Sequence, residues 1–268
     1  MIYSFKKCST DGSKDKKNAK DARDTVVIVH GLGEHIGRYE RLINMLIEEG
    51  FCVIGFDLPG HGKSSGKRGH TSIEEVLSVI DSVTKDVDNF ILFGHSLGGL
   101  IAVRYTETRP TRVKKLIVSS PALHLEPKKS QLFLLKLFSV LMPRLTLSNG
   151  IDPNLLSRNK EAVQMYISDP LVHDRISINL GKSMIKNVEL AYQQSGRIVC
   201  PTAILVGTDD KVTPPIGAKT FYQELKCNKF MKEFDGGYHE LFDDLEHSDE
   251  FHKTILTLIK EEFCCFKN

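Results

Sequence analysis

The stretch that decides the fold is Phe90–Leu100, FILFGHSLGGL. Its opening residues, Phe90–Phe93, are uniformly apolar, as in a strand buried on both faces of a parallel sheet. Its closing residues lead into a helix predicted over Leu97–Thr108, which stops before Pro110. Between strand and helix, Gly94-His95-Ser96-Leu97-Gly98 reads G-x-S-x-G. A turn that tight brings neighbouring backbone very close, so glycines must flank it and Ser96 is forced to its exposed tip. The helix that follows places a positive partial charge beside that hydroxyl. Alone, the five-residue pattern also marks ordinary turns; the strand before it and the helix after it give it chemical meaning.

The same β-branched, apolar signature recurs at Val26–Val29, Val53–Phe56, Leu116–Val118 and Ile204–Val206. Helical patterns lie between these runs. Tyr39–Glu49 is amphipathic and stops at Gly50, while Ser72 and Glu75 form a capping-box signature ahead of a helix running towards Val87. Alternating strands and helices imply a right-handed parallel α/β sheet. The rhythm breaks between Pro121 and about Gly196, where no strand run is evident, so a helical insertion is expected over residues 122–196. It resumes at CPTAILVG and ends with a helix from Ser248 to about Glu262. The expected organisation is a polar arm over 1–24, a core over 25–121 and 197–268, and the insertion as a cap.

A serine at such an elbow needs a base, and the base needs an orienting carboxylate. In this fold they follow in the order Ser, Asp, His, on loops after later strands. Asp209 and Asp210 follow the strand at Ile204–Val206, and Asp210 is preferred as the orienter. His239 lies in the glycine-rich loop Asp235-Gly236-Gly237-Tyr238-His239 and is the candidate general base. His30-Gly31-Leu32-Gly33, after the first buried strand, matches an oxyanion loop, so the amides of Leu32 and Leu97 are the candidate donors. An ordinary turn is the plain alternative for each loop.

Composition narrows the function. The chain has 268 residues, 41% hydrophobic and 26% charged, which excludes long disorder and fibrous architectures. Thirty-six Lys and Arg against thirty-four Asp and Glu leave a formal charge of +2, so nucleic acid is not an indicated partner. Gly62-Lys63-Ser64 lacks the spacing of a phosphate loop, and His239-Glu240 has no second histidine at zinc-protease spacing. Neither a metal nor a cofactor is implied. The six cysteines show no metal spacing and read mostly as reduced, buried side chains; Cys264 and Cys265 could alternatively carry a lipid. The N-terminus has no signal-type apolar core, and Leu132–Met142 falls short of the ~20 residues that span a bilayer. A cytoplasmic chain, or one lying peripherally on a membrane, is expected.

Taken in order, HGLGEHIGRYERL, FDLPGHGKSSGKRG, GHSLGG, PRLTLSNGIDPNLLSRN, MYISDPL and GGYHELF resemble the monoacylglycerol lipases of the α/β-hydrolase superfamily. The resemblance runs from about Val26 to the C-terminus and includes the insertion. It implies an α/β-hydrolase fold, with a mostly parallel central sheet flanked by helices and a helical cap. It also implies a serine hydrolase that cleaves monoacylglycerol to glycerol and fatty acid. The family's nucleophile, acid and base fall on Ser96, Asp210 and His239, and its oxyanion donors on Leu32 and Leu97. A glycerol pocket falls on Glu34, Arg38 and Tyr166. Two departures stand out: the KDKKNAKDARD run (residues 14–24) replaces most of the family's first strand pair, and Phe242 stands where some members carry a polar residue. The apolar run Leu132–Met142 suggests a cap that lines an acyl tunnel or touches a membrane surface. A lipid ester is therefore the expected substrate. The alternatives are a lysophospholipase or other carboxylesterase and, in a different class, a catalytically silent lipid-binding protein.

Overall fold

The computed structural model describes residues 1–9, 24–125, 138 and 142–261. One seven-stranded sheet comprises β1 (Ser4–Lys7), β2 (Thr25–Val29), β3 (Cys52–Phe56), β4 (Phe90–His95), β5 (Val113–Ser119), β8 (Thr202–Gly207) and β9 (Lys229–Phe234). Their order is β1-β3-β2-β4-β5-β8-β9, which puts β4, the strand leading to Ser96, at the centre. Every neighbouring pair is parallel except β1 with β3.

The uniformly apolar strands are buried on both faces because residues alternate between two cores. Val27, Val29, Leu92, Val118 and Ile204 point into one, with α2 (Ile73–Val83), α3 (Leu97–Thr108), α5 (Ile178–Gln194) and α6 (Pro215–Glu224) packed over them. Val26, Ile28, Ile91, Ile117 and Leu205 point into the other, covered by α1 (Glu40–Glu48) and α7 (Ser248–Lys260). Each such side chain removed from water contributes roughly 1.5–3 kcal/mol. The helix ends follow local chemistry. Gly50, at φ +84°, ends α1. The Ser72 hydroxyl accepts from the Glu75 amide at 3.1 Å, but the Glu75 carboxylate accepts from the Thr71 hydroxyl, so half of the capping box is replaced by a different contact.

Two expectations are corrected by strand pairing. The arm over 1–24 is not wholly polar lead-in, since residues 4–7 form β1 at the sheet edge. Its register pairs Ser4 with Phe56 and Lys7 with Val53, and one step further sets Cys8 opposite Cys52. These two cysteines form a disulfide with Cα atoms 4.2 Å apart, contrary to the expectation that the cysteines are reduced. Cys200 and Cys227 are free thiols, and Cys264 and Cys265 lie outside the described residues.

The segment between β5 and β8 also contains strands. β6 (Thr146–Ser148) pairs antiparallel with β7 (Arg175–Ser177), three residues each, too short to leave an alternating signal in sequence. With α4 (Lys160–Ser168) and the start of α5, they lie against the core loops. The His173 amide donates to the Gly33 carbonyl at 2.8 Å, the Ser177 amide to Gly69 at 2.8 Å, and the Glu240 amide to Leu156 at 2.7 Å. His35 pairs with Asp169 at 2.8 Å, and Arg158 grips Asp244 with two bonds of 2.9 and 2.7 Å. Of the apolar run Leu132–Met142, all but Phe138 and Met142 lie outside the described residues.

Candidate active site

Ser96 sits between the end of β4 and the start of α3 with φ 55° and ψ −119°, a conformation that L-residues rarely adopt. The glycines around it are sterically required. A Cβ on Gly94 would lie 2.2 Å from the Gly98 carbonyl oxygen, and one on Gly98 would lie 2.1 Å from the Val29 carbonyl oxygen. The Ser96 amide donates to the Ser119 carbonyl at 3.0 Å, locking the bend to the neighbouring strand.

The Ser96 Oγ lies 2.9 Å from His239 Nε2, and His239 Nδ1 lies 2.8 Å from Asp210 Oδ2. All three side chains are buried. Asp210 follows β8 and His239 follows β9, so the order of strands in the sheet brings the two loops to the elbow. The Asp210 Oδ1 accepts from the amides of Val212 and Thr213 at 2.8 and 2.9 Å. Burial disfavours a charged carboxylate, but His239 and these donors outweigh it and hold the Asp210 carboxyl below its ordinary range. For His239, burial lowers basicity, yet the charge and hydrogen bond of Asp210, with Glu240 and Glu34 nearby, raise it above the usual imidazole value. The His95 ring packs 4.8 Å from that of His239; burial first, and His239 next, push it down to about 3, so it stays neutral.

A small cavity over Ser96 is lined by Gly31, Leu32, Glu34, His95, Leu156, Tyr166, His239 and Glu240. The oxyanion-loop candidate therefore adjoins the nucleophile: a Cβ on Gly31 would stand 3.2 Å from that of Ser96. Leu97 begins α3 immediately after Ser96.

Glu34, Arg38 and Tyr166 come together beside this cavity, but as part of a larger charged cluster. Arg38 reaches Glu34 at 3.1 Å, Glu240 through two bonds of 2.6 and 2.9 Å, and Asp243 at 3.1 Å, which occupies all four terminal N–H groups. Its guanidinium lies 4.8 Å from the centre of the Tyr166 ring and 5.4 Å from that of Phe242. Glu34 Oε1 accepts from the Gly31 amide at 2.5 Å and the Tyr39 hydroxyl at 2.7 Å. Burial would raise the Glu34 carboxyl, but Arg38 and its other partners bring it down to about 2. Asp243 goes the other way: burial and the neighbouring carboxylates, against Arg38, lift it to about 6. Three carboxylates thus surround one guanidinium. Glu240 and Asp243 carry no motif of their own, although Glu240 is adjacent to His239 and its position was the only signal available in sequence. Among the described residues, no cluster of three or more His, Cys, Asp or Glu is placed to hold a metal ion.

A parallel sheet with helices on both faces, and a strained serine backed by an imidazole and a carboxylate, define a serine hydrolase of the α/β-hydrolase fold. The family model described as serine aminopeptidase, S33, matches residues 20–246. The chain is 35% identical over 254 residues to an abhydrolase domain-containing protein of Dictyostelium discoideum, spanning 91% of this chain and 27% of that protein. It is 33% identical to phospholipase YtpA of Bacillus subtilis, over 84% of this chain and 91% of that protein. It is 32% identical to human monoglyceride lipase, over 82% of this chain and 76% of that protein. Among solved structures, a monoacylglycerol lipase of Paleococcus ferrophilus superposes with a TM-score of 0.90 at 48% identity, covering 97% of this chain and 98% of that one. The chain belongs to the serine aminopeptidase S33 family and, within it, to the group that contains the monoglyceride lipases.

Proposed function

We propose that this protein hydrolyses monoacylglycerol to glycerol and a free fatty acid through an acyl-enzyme on Ser96. The reading rests chiefly on the hydrogen-bonded line Ser96–His239–Asp210, with spacings of 2.9 and 2.8 Å at a strained elbow. His239 takes the Ser96 proton as the hydroxyl oxygen attacks the ester carbonyl, and the amides of Leu32 and Leu97 receive the oxyanion. His239 then protonates the departing glycerol oxygen. Water, deprotonated by the same imidazole, releases the fatty acid and restores the serine. Asp210 fixes the imidazole tautomer and stabilises its cation.

The head group is where a monoacylglycerol and a lysophospholipid differ. Glu34, Glu240 and Asp243 against Arg38 leave the pocket wall with a negative surplus, which suits a neutral polyol and opposes a phosphate. Arg38, with its terminal N–H groups engaged, acts in this reading as a brace between Glu34 and Glu240, and Glu34, Tyr166 and Glu240, which line the cavity over Ser96, are the groups offered to the glycerol. The acyl chain and lipid surface meet the inserted segment, where Met142, Leu147, Met165 and Ile167 are about half exposed or more. Among the described residues no helix is long and apolar enough to cross a membrane. In this reading the segment touches a lipid surface through these exposed side chains.

The test is a substrate panel combined with active-site labelling. Monoolein is expected to be cleaved much faster than lysophosphatidylcholine, and a fluorophosphonate is expected to label the wild type but not Ser96→Ala. Faster lysophosphatidylcholine turnover would assign the chain to the lysophospholipases, and absence of labelling in an intact wild type would leave a lipid-binding protein.

A further inference from the structure

We propose that Thr213 is a positioning residue for the catalytic base, its hydroxyl holding the Asp210 carboxylate in register with the imidazole of His239, while Ser120 holds the base loop from the other side. The inference rests on the hydrolytic reading of Ser96, His239 and Asp210. It assigns a role to Thr213, on the same loop as Asp210, and to Ser120, on the loop after β5, neither of which a motif marks.

The Thr213 Oγ1 lies 2.9 Å from Asp210 Oδ2, 3.1 Å from His239 Nδ1 and 2.9 Å from the Ser120 carbonyl oxygen. Ser120 in turn donates its own hydroxyl to the His239 carbonyl at 2.9 Å, and its amide donates to Leu205 at 2.8 Å. Both residues are buried, so water does not compete for these contacts. Ser120 holds φ at +43°, outside the ordinary range for a residue with a side chain. That conformation is unfavourable and persists only where surrounding contacts enforce it. Here it turns the Ser120 hydroxyl towards the base loop and its carbonyl towards Thr213.

A hydroxyl has one proton, and two acceptors stand equally close to Thr213 Oγ1. The carboxylate is the stronger, because a hydrogen bond to an ionised acceptor is roughly twice as strong as one to a neutral carbonyl. The hydroxyl therefore donates to Asp210 Oδ2, the oxygen that faces Nδ1, and holds that carboxylate in register with the ring. It also draws off part of the carboxylate's charge. Without the hydroxyl, Asp210 would be a less restrained and more basic partner. The imidazole would be aimed less well and would keep its proton to a higher pH. The other charged or titratable groups facing His239 are Glu240, Glu34 and His95, and none of them changes in the experiment below.

The experiment compares full pH profiles of kcat and KM on monoolein for wild type, Thr213→Val, Thr213→Ala and Thr213→Ser, after thermal melts establish which variants fold. Loss of the hydroxyl is expected to lower kcat about tenfold with little change in KM and to move the acidic limb up by about 0.5–1 pH unit. Thr213→Ser is expected to restore both. If Thr213→Val does not fold, Thr213→Ala carries the comparison. The inference is overturned by folded hydroxyl-free variants with wild-type rate and profile, by a fall in kcat with an unmoved or lowered limb, or by a serine variant as impaired as the others. A wild type that cleaves no ester would instead overturn the hydrolytic reading itself.

Discussion

At Ser96 the backbone is held in a region that costs about 1–3 kcal/mol, and the reward is a hydroxyl directed at an imidazole 2.9 Å away. What makes that imidazole useful is the balance struck at His239. Burial lowers its proton affinity, and Asp210 more than offsets this. Because the base must be neutral, the acidic limb of kcat/KM is expected to have its midpoint above the usual imidazole value of about 6.5. Asp210→Asn removes the main influence raising it. The limb should move to lower pH while kcat falls by roughly 10³–10⁴; initial rates on a soluble ester across the pH range would show both. The three residues were legible in sequence because each sits in a local pattern, a strand-turn-helix or a glycine-rich loop after a strand. Thr213 and Ser120 were not. Their meaning lies in contacts between the ends of three different strands; Asp210 stands only three positions before Thr213, but the approach of His239 and Ser120 to it leaves no trace in the local sequence.

At the level of elements, the candidate oxyanion loop and the loop that carries His239 are joined by the ion cluster of Glu34, Arg38, Glu240 and Asp243. Arg38 and Tyr166 could be grouped by resemblance with an expected glycerol pocket, but Glu240 and Asp243 could not be paired with Arg38, since they lie about two hundred residues away in sequence. The cluster gives a specificity prediction. Glu240→Gln removes one negative charge beside the cavity, and the ratio of lysophosphatidylcholine to monoolein turnover is expected to rise several-fold. An unchanged ratio measured on mixed micelles would remove this cluster from the account of selectivity. Strand pairing was the other element-scale blind spot. β1 is only four residues long and its three exposed positions, Ser4, Lys6 and Lys7, are all polar or charged, so the disulfide partnership of Cys8 with Cys52 became visible only through its register with β3.

Across the whole molecule, the alternation of apolar strands and amphipathic helices was sufficient to read a parallel sheet with two covered faces, because that pattern follows directly from burial on both sides. The interior nevertheless contains an Arg–Glu pair within α3, facing α5, that has no such pattern. Arg104 contacts Glu107, Asn187 and Gln194, while Glu107 Oε1 is buried and lacks a hydrogen-bond partner among the described residues. Burial, despite Arg104, raises the Glu107 carboxyl to about 8. Its folded form thus binds a proton more tightly than the unfolded chain, whose glutamate titrates near 4.3. The contribution is fully present below that value and is lost as pH rises to about 8, with a slope of at most about 1.4 kcal/mol per pH unit. Melting temperature is accordingly expected to decline over this window in the wild type and to decline less in Glu107→Gln.

The stitching of the inserted segment to the core has a mechanical consequence. It is fastened beside the oxyanion loop through His173 and Gly33, and beside the base loop through Leu156 and Glu240 and through Arg158 and Asp244. Whatever pries that segment outward pulls on the loops that carry both halves of the candidate site at once, so the placement of the segment and the reactivity of the serine are geared together rather than independent.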